Sequence, residues 1–423
     1  MKFSSERLLE GIQLLHDVKA DSGRVELLLP LQKILIRELI RTERAILLLK
    51  KARIRLIKSK SKKRNRHEGY KSKKLKKLLK QCKHRIEDYH HYRFLWRCIG
   101  DGIAAIYQNK FSLKHLYYDS EYMPKEDPGF ISGKSGFLKE YKLFVKGIQM
   151  NVPVVLSDLT NIIRHGDICA LGSNEPMLIE VKSSGNKNSR VSRQIEQLKE
   201  LEYFFSNDEI ENFRGNGPTQ RIASVIEEHI FAKEINECIE SAMSNGVGIS
   251  IPEKGLRYIA IRNDLAISNQ EQLSETLGTP SRHLLIVHVP CDQRLLPSYP
   301  FILTLQPSNA LFFMSGLVSL MVEIDLKRVK QLFNENGLFA VVLLDGELAI
   351  QVMFDENNLS KGGYWISEPL FLRIATEFLS MEDFVKNQAK MEVGDFSELK
   401  SGIENAKLTE YLENFSDLKD CFE

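Results

Sequence analysis

The sequence predicts an α/β protein that opens with a helical hairpin and closes with a second α/β region. Three observations carry that expectation. Apolar residues recur at three- and four-residue spacing through most of residues 5–107, the period of an amphipathic helix. Short apolar runs, separated by turn residues, then follow between 152 and 184, as strands do. Beyond residue 246, strand-like and helical runs alternate. At 423 residues the chain is long enough for two or three domains, and the pattern divides it at 1–125, 126–245, 246–390 and 391–423. Hydrophobic residues make up 43% and charged residues 27%, enough for apolar cores under a water-facing surface.

The first segment is helical throughout. Residues 5–18 place Leu8, Leu9, Ile12 and Leu15 on one stripe. After Asp21-Ser22-Gly23, a long run to about Lys60 carries Leu31, Leu35, Leu39, Ile46, Leu49 and Leu56 on its apolar side. A second run from about Ser72 repeats Leu75, Leu79, Cys82, Ile86 and Tyr89 by fours and threes, so the two helices form an antiparallel hairpin. Its aromatic continuation to Tyr107, with Phe94, Leu95, Trp96 and Ile99, packs back on the first helices. The connection from Lys58 to Lys77 carries eleven Lys and Arg among its twenty residues, with Glu68 its only acid. Such a block repels itself unless a polyanion or water screens it, and Lys60, Lys62, Lys63, Arg64, Arg66, Lys73 and Lys74 are its candidate phosphate contacts. His84, His90, His91 and His115 are not metal ligands on this pattern, because adjacent helical positions diverge.

Net charge is only +3, so the partner is indicated by where the charge lies rather than by its total. Six cysteines (Cys82, Cys98, Cys169, Cys238, Cys291 and Cys421) lack paired spacing. That argues against a zinc site or disulfide framework and fits a reducing cytoplasm. Met1-Lys2-Phe3 leads into a charged amphipathic run rather than a signal peptide. The most apolar run, Ala310 to Val322, falls short of the roughly 18 residues of a membrane span and reads as a core helix, so no membrane partner is expected.

The second segment holds the chemistry. Gly129 to Ser135 resembles a phosphate-binding loop superficially, but three residues rather than four separate its glycines and no strand precedes it. A helix over Lys134–Gln149 follows, with Phe137, Tyr141, Phe144 and Ile148 inward and Glu140 beside them. Val152–Leu156 is the next strand, and Asp158 reads as a turn residue and a weaker acidic candidate. Gly166–Leu171 and Pro176–Ser184 then form a hairpin through Gly172-Ser173-Asn174-Glu175. Pairing Leu171 with Pro176 sets Asp167 opposite Glu180, with Lys182 on the same face. Facing carboxylates need a cation or a proton between them, and an ammonium nearby suits a metal-bound water. The pattern is that of a hydrolytic metal site.

An Asp followed across a hairpin by Glu-Val-Lys (Asp167, then Glu180-Val181-Lys182) resembles the PD-(D/E)XK nuclease superfamily. Gly-Asp-Ile followed by Ile-Glu-Val-Lys-Ser-Ser is most similar to archaeal Holliday-junction resolvases and related restriction-type domains, over roughly residues 130–206. The resemblance implies a restriction-endonuclease-like mixed sheet flanked by helices. It implies Asp167, Glu180 and the carbonyl of Val181 as ligands of Mg²⁺, with Mn²⁺ able to substitute, and Lys182 as the water-orienting cation. Glu140 is the acidic residue that the first core helix of this superfamily contributes. Gln197, with Gln194 as its rival, matches a helical glutamine of some members; where one branch continues to a tyrosine, this chain has Leu201. The implied activity is metal-dependent endonucleolytic cleavage, of DNA in preference to RNA, with defence against foreign DNA as a setting.

Helix Ser189–Phe205 closes that segment, and a helix over about 222–243 follows. The third segment predicts a hairpin at Gly248–Pro252 and Leu256–Arg262, strands at Leu284–Val289 and Phe301–Leu305, and helices at Ala310–Leu320 and Asp325–Asn334. A second hairpin follows at Phe339–Leu344 and Glu347–Phe354, through Asp345-Gly346, then a helix at Pro369–Leu379. No catalytic constellation stands out there, and His288 and Asp292 read as structural. The acidic residues after Glu392 suggest a tail. Two alternatives stay open: a nuclease-fold scaffold that binds nucleic acid without cutting it, and an RNA-directed, effector-gated nuclease with 246–390 as sensor. A homo-oligomer or protein partner is compatible with any of them.

Overall fold

The computed structural model describes residues 5–62, 69–117, 129–181, 189–214, 217–221, 226–265, 283–288, 301–355 and 362–390, with backbone alone at 59–62, 69–72, 189–195, 283 and 285–288. The chain forms two compact units, Met1–Arg221 with Val289–Leu317, and Ile222–His288 with Val318–Glu423. This division differs from the four segments the sequence predicts. The helical N-terminal part and the sheet bearing Asp167 fall in one unit because buried polar side chains stitch them together, as described below.

In the first unit, α1 (Ser5–Ala20), α2 (Leu28–Lys62) and α3 (Gly69–Tyr107) form where the apolar periodicity predicts. Leu8, Ile12, Leu15, Leu31, Leu35, Leu39, Ile46, Leu95, Trp96 and Ile99 are buried. The α2–α3 pair is antiparallel: Glu43 meets Arg97 near the core end, and the short connection joins the far ends. A short α4 (Lys110–Tyr117) and α5 (Phe137–Gln149) follow. The sheet is a meander of β1 (Val154–Leu156), β2 (Ile168–Ala170) and β3 (Met177–Ile179). Both of its pairings are antiparallel, so the described residues contain no mixed sheet; a meander with short connections leaves no crossover to make a parallel pair. The long α6 (Ser189–Asn207) leads to a two-residue ladder, β4 (Glu209–Ile210) with β5 (Thr219–Gln220).

Two segments after residue 289 correct the sequence expectations. Phe301–Leu305, predicted as a strand, begins with a helical turn, α8 (Phe301–Thr304), whose free carbonyls at Ile302 and Leu303 accept from His16 Nε2 (2.9 Å) and Lys19 Nζ (2.7 Å) of α1. The predicted helix Ala310–Leu320 ends at Met314 as α9 (Pro307–Met314). Gly316 then turns the chain with φ +72°, and the remaining apolar residues become a strand.

That strand belongs to the second unit, as β9 (Val318–Asp325), central in an antiparallel sheet of order β6-β7-β9-β8. It pairs with β7 (Leu256–Arg262) and β8 (His283–His288), and β6 (Val247–Glu253) pairs with β7, all at the predicted places. An apolar run bonded on both sides reads alike as buried strand or buried helix, which is why periodicity misassigned it. Helix α7 (Ala232–Asn245) starts ten residues later than predicted and packs on β6, where Gly248 lies so close to Cys238 O that a Cβ would stand 1.9 Å from it. The helix α10 (Leu326–Glu335) is capped by Asp325, which accepts from the amides of Lys327 and Arg328.

A second meander joins β10 (Phe339–Val342), β11 (Leu348–Met353) and the unpredicted β12 (Gly363–Ser367). The β10–β11 turn is wider than two residues, with Leu344 and Gly346 both at positive φ. In place of one helix at Pro369–Leu379 there are two single turns, α11 (Glu368–Phe371) and α12 (Arg373–Thr376). Leu379 then bridges to Ile230, and Phe378 stands at φ 56°, which ends any helix there. The last described element is α13 (Met381–Lys390). Asp292 and the acidic tail lie outside the described residues. No described helix is long and apolar enough to cross a membrane.

Candidate functional site

The hairpin that carries the nuclease-like residues has the expected register: Ile168 pairs with Ile179, Cys169 with Leu178 and Ala170 with Met177. One pair further on, the ladder changes. The Asp167 amide donates to Ile179 O at 2.9 Å, and its carbonyl accepts from Ser157 N at 3.0 Å, so Asp167 is held between the ends of β1 and β3. Gly166 makes this possible. It sits at φ +68°, and a Cβ there would lie 3.2–3.3 Å from the Ile179 main chain. The Asp167 carboxylate turns inward, where Oδ2 accepts from the Val181 amide at 2.9 Å. Asp167 is thus joined to Ile179 through its main chain and to Val181 through its side chain.

The other Asp167 oxygen faces a cation. Lys134 Nζ lies 2.9 Å from Asp167 Oδ1, 2.8 Å from Asp158 Oδ2 and 2.9 Å from Glu140 Oε2. Three carboxylates from three parts of the chain converge on one ammonium: the first turn of α5, the turn after β1, and the start of β2. Glu140 is 2% exposed, and its burial raises the carboxyl pKa despite the hydrogen bond from Lys134. Burial pulls the Lys134 pKa down, but the Asp158 charge and hydrogen bonds to all three carboxylates outweigh it and hold the amine above the usual lysine range. The site is an electrostatic knot in which one ammonium lies between three like-charged acids and offsets their mutual repulsion.

Polar residues of the long helices fix this knot in place. Gln32, in the midst of the α2 apolar stripe, donates to Val154 O (2.6 Å) and accepts from Leu156 N (3.2 Å), completing an edge of β1. Arg97 of α3 donates to Asp158 O (3.1 Å) and Gly129 O (3.1 Å). Its guanidinium is almost fully buried, which draws its pKa down to about 10. Asp101 accepts from the amides of Asn161 (2.6 Å) and Ile162 (3.0 Å), and Gln108 donates to Leu171 O (2.9 Å). On the loop that presents Lys134, Glu43 accepts from Ser132 N at 2.8 Å, and Arg93 lies over the Phe130 ring at 4.9 Å. The first strand, the turn and loop after it, and the end of the second strand are therefore each tied to a helix by at least one hydrogen bond.

The structure brings Asp167, Glu140 and the weaker acidic candidate Asp158, predicted separately, to one point. Lys134 is the residue that sequence reasoning missed: it stands in the run rejected as a phosphate loop, and no spacing links it to acids 6, 24 and 33 positions away. Gln32 was the more legible signal, a polar residue inside an apolar stripe. Val181 is present through its amide. Glu180 directly follows β3, and Lys182 lies outside the described residues. Gln197 is exposed on α6, and the side chain of Gln194 is outside the described set.

His115 is buried against Phe204 and Phe213, ring centroids 5.1 and 5.5 Å away, and burial depresses its pKa to about 2; it is a neutral core ring. Of the basic candidates, Lys73 and Lys74 are exposed on α3, Lys63, Arg64 and Arg66 lie outside the described residues, and Lys60 and Lys62 are placed by backbone alone. Neighbouring cations extend the patch: Lys50, Lys51, Arg53, Arg55 and Lys58 on α2, and Lys76, Lys77, Lys80, Lys83 and Arg85 on α3, are all exposed. Beyond Ile46 no described side chain of α2 is fully buried, so the helix continues for roughly 24 Å past the core, at 1.5 Å per residue.

Among the described residues, no group of three or more His, Cys, Asp or Glu side chains is arranged to hold a metal ion. Glu140, Asp158 and Asp167 are hard oxygen donors, but all three are already paired with the Lys134 ammonium. Comparisons with protein-family models, curated proteins and solved structures return no match.

Proposed function

We propose that this chain is a Mg²⁺-dependent nuclease that hydrolyses phosphodiester bonds, in DNA by preference. The observation that supports it best is the convergence of Asp167 and Glu140 on one cation, beside the start of the Glu180-Val181-Lys182 run. In this reading Asp167, Glu180 and the Val181 carbonyl hold Mg²⁺, or Mn²⁺ in its stead. Bound there, the ion supplies Lewis acidity, lowering the pKa of a coordinated water and offsetting charge on the scissile phosphate. The chain's own residues do the rest. Lys182 orients the attacking water and counters developing negative charge. Glu140 and Asp158 set the negative field that attracts the ion. The exposed basic residues of α2 and α3 engage phosphates along the substrate, whatever its sequence. The products carry 5′-phosphate and 3′-hydroxyl ends by resemblance to the superfamily, and defence against foreign DNA is a fitting role.

One observation favours a second reading. An ammonium already satisfying three carboxylates is also what a site converted to a structural ion-pair cluster would contain, leaving a nucleic-acid-binding scaffold. Incubation with single- and double-stranded DNA and RNA, with Mg²⁺ or Mn²⁺, separates the two. Wild type should cut, whereas Asp167→Ala, Glu180→Ala and Lys182→Ala should not, and only the first two should lose Mn²⁺ affinity. A wild type that binds nucleic acid but neither cuts it nor takes up Mn²⁺ leaves the scaffold.

A further inference from the structure

We infer that the outer edge of β6 is a self-pairing surface, to which a second copy of this chain adds its own β6 in antiparallel register. The inference goes beyond the nuclease reading and does not depend on it. Among the described residues β6 lies at the end of its sheet, with β7 as its one strand neighbour. The ladder shows which main-chain groups this leaves over. Arg262 N donates to Gly246 O at 2.9 Å, so Gly246 and Arg262 form a hydrogen-bonded pair. Such pairs alternate with non-bonded ones along an antiparallel ladder, and the register continues as Val247–Ile261, Gly248–Ala260, Ile249–Ile259 and Ser250–Tyr258. Gly248 and Ser250 therefore bond inward to β7, whereas Val247 and Ile249 turn their amides and carbonyls to the outer edge, and Ile251 continues that alternation. The far side of β7 agrees: Asp325 N donates to Gly255 O at 2.8 Å, so Arg257, Ile259 and Ile261 bond to β9 instead.

Strand edges are ordinarily blunted by lysines, by prolines or by a covering element. From Val247 to Ile251 this edge reads Val-Gly-Ile-Ser-Ile, with no charge and no proline. Ile249 and Ile251 share the face away from α7, which approaches Gly248 on the other side. They are 47% and 69% exposed, whereas Val247, Ile259 and Ile261 on the same face are buried in one apolar cluster. That cluster thus runs out to an open margin. Pairing β6 with itself about Ile249 sets Ile249 against Ile249 and Val247 against Ile251 of the second copy. These are the residues whose main-chain groups face outward, so each opposed pair exchanges both its bonds, roughly six in all. A shift by one residue brings Gly248, whose groups are already taken by β7, opposite Ile249, so the apolar match and the hydrogen bonding select one register. Charge also suits a second copy. In this register Glu253 and Lys254 fall opposite Asn245 and Ser244, so no like charges meet. The two four-stranded sheets become one.

The test is sedimentation velocity of the full chain from micromolar to hundred-micromolar concentration, since so short a ladder makes a small interface and a weak dimer. Wild type should pass from monomer to dimer across that series. Ile249→Lys sets two ammonium groups against each other at the centre of the ladder and should weaken dimerisation by about tenfold or more. Ile251→Lys, at the more exposed position, should weaken it as well, and far-UV circular dichroism of both variants should match wild type. Cross-linking reads the register. Opposed residues of a hydrogen-bonded pair stand about 5.5 Å apart at Cα, within reach of a disulfide. Under mild oxidation Ile249→Cys should therefore gain an intermolecular disulfide that wild type lacks. Ile251→Cys should not, because its two copies stand about 14 Å apart along the strands. A wild type that stays monomeric throughout overturns the inference and leaves the edge to a strand of another protein. A wild-type dimer that neither lysine variant weakens overturns it too, by placing the contact elsewhere. A disulfide through Ile251→Cys but not Ile249→Cys overturns the pairing about Ile249.

Discussion

Asp101 shows how much a single buried charge can govern here. It accepts from the amides of Asn161 and Ile162 and from Asn161 Nδ2, and so holds the loop between β1 and β2. Burial nevertheless lifts its pKa from 3.8 to about 6, outweighing those hydrogen bonds. Between these values the folded protein keeps a proton that the unfolded chain has released. Stability from this group is therefore greatest below about pH 4 and declines as pH rises through about 6. Asp101→Asn should remove that decline, flattening the fall in unfolding free energy across the window by on the order of 3 kcal/mol. Urea denaturation of both proteins through that range checks it, and parallel pH profiles would refute it. Residues of this kind were poorly legible in the sequence. Asp167 could be placed because a four-residue turn sets hairpin register; Asp101 and Lys134 owe their roles to partners dozens of positions away, which no local period encodes.

Among the elements, α2 and α3 were the most legible, because 35 and 39 residues give a helical period many turns in which to show itself. The three-residue strands β1, β2 and β3 were overestimated in length. Their ends are set by side-chain clamps such as Gln32 and by Gly166, whose turn shifts the ladder at Asp167. The misreading at α9–β9 arises because apolar runs buried on every side look alike in helix and strand, and the positive φ at Gly316 decides where one gives way to the other; at α11–α12 the predicted helix breaks into two turns and stops at Phe378, also at positive φ. The α2–α3 arm also supports a test of its own. Replacing Lys73, Lys74, Lys76 and Lys77 by Gln should weaken nucleic-acid binding and reduce the slope of log affinity against log salt by roughly 0.9 per lost duplex phosphate contact. These positions are exposed, so thermal stability should be unchanged. Binding titrations across a salt series would expose the arm as a bystander if neither affinity nor slope moved.

At the scale of the molecule, each unit has its own core and its own buried ion pairs. In the second, Arg373 is 4% exposed and bonds Glu377 at 3.0 Å as well as both Glu228 oxygens. Arg373→Met should destabilise the protein by about 3–5 kcal/mol, because it leaves the buried Glu377 carboxylate and the partly buried Glu228 carboxylate without their cation. Chemical denaturation measures the loss. Mn²⁺ affinity of the folded variant should match wild type, since the proposed ligands Asp167, Glu180 and Val181 all belong to the first unit. The chain order within that first unit has a consequence for biosynthesis. Residues 289–317 return to it only after the chain has passed through 222–288, and they supply α8 and α9 to the surface of α1. On the ribosome, α1 is therefore made some three hundred residues before the segment that covers it, while Ile302, which closes over Gly102 and accepts from His16, is still untranslated. Nascent chains shorter than this leave the part of α1 that α8 and α9 cover open to solvent or to a chaperone, and the first unit reaches its final packing only late in translation, out of the usual N-to-C order.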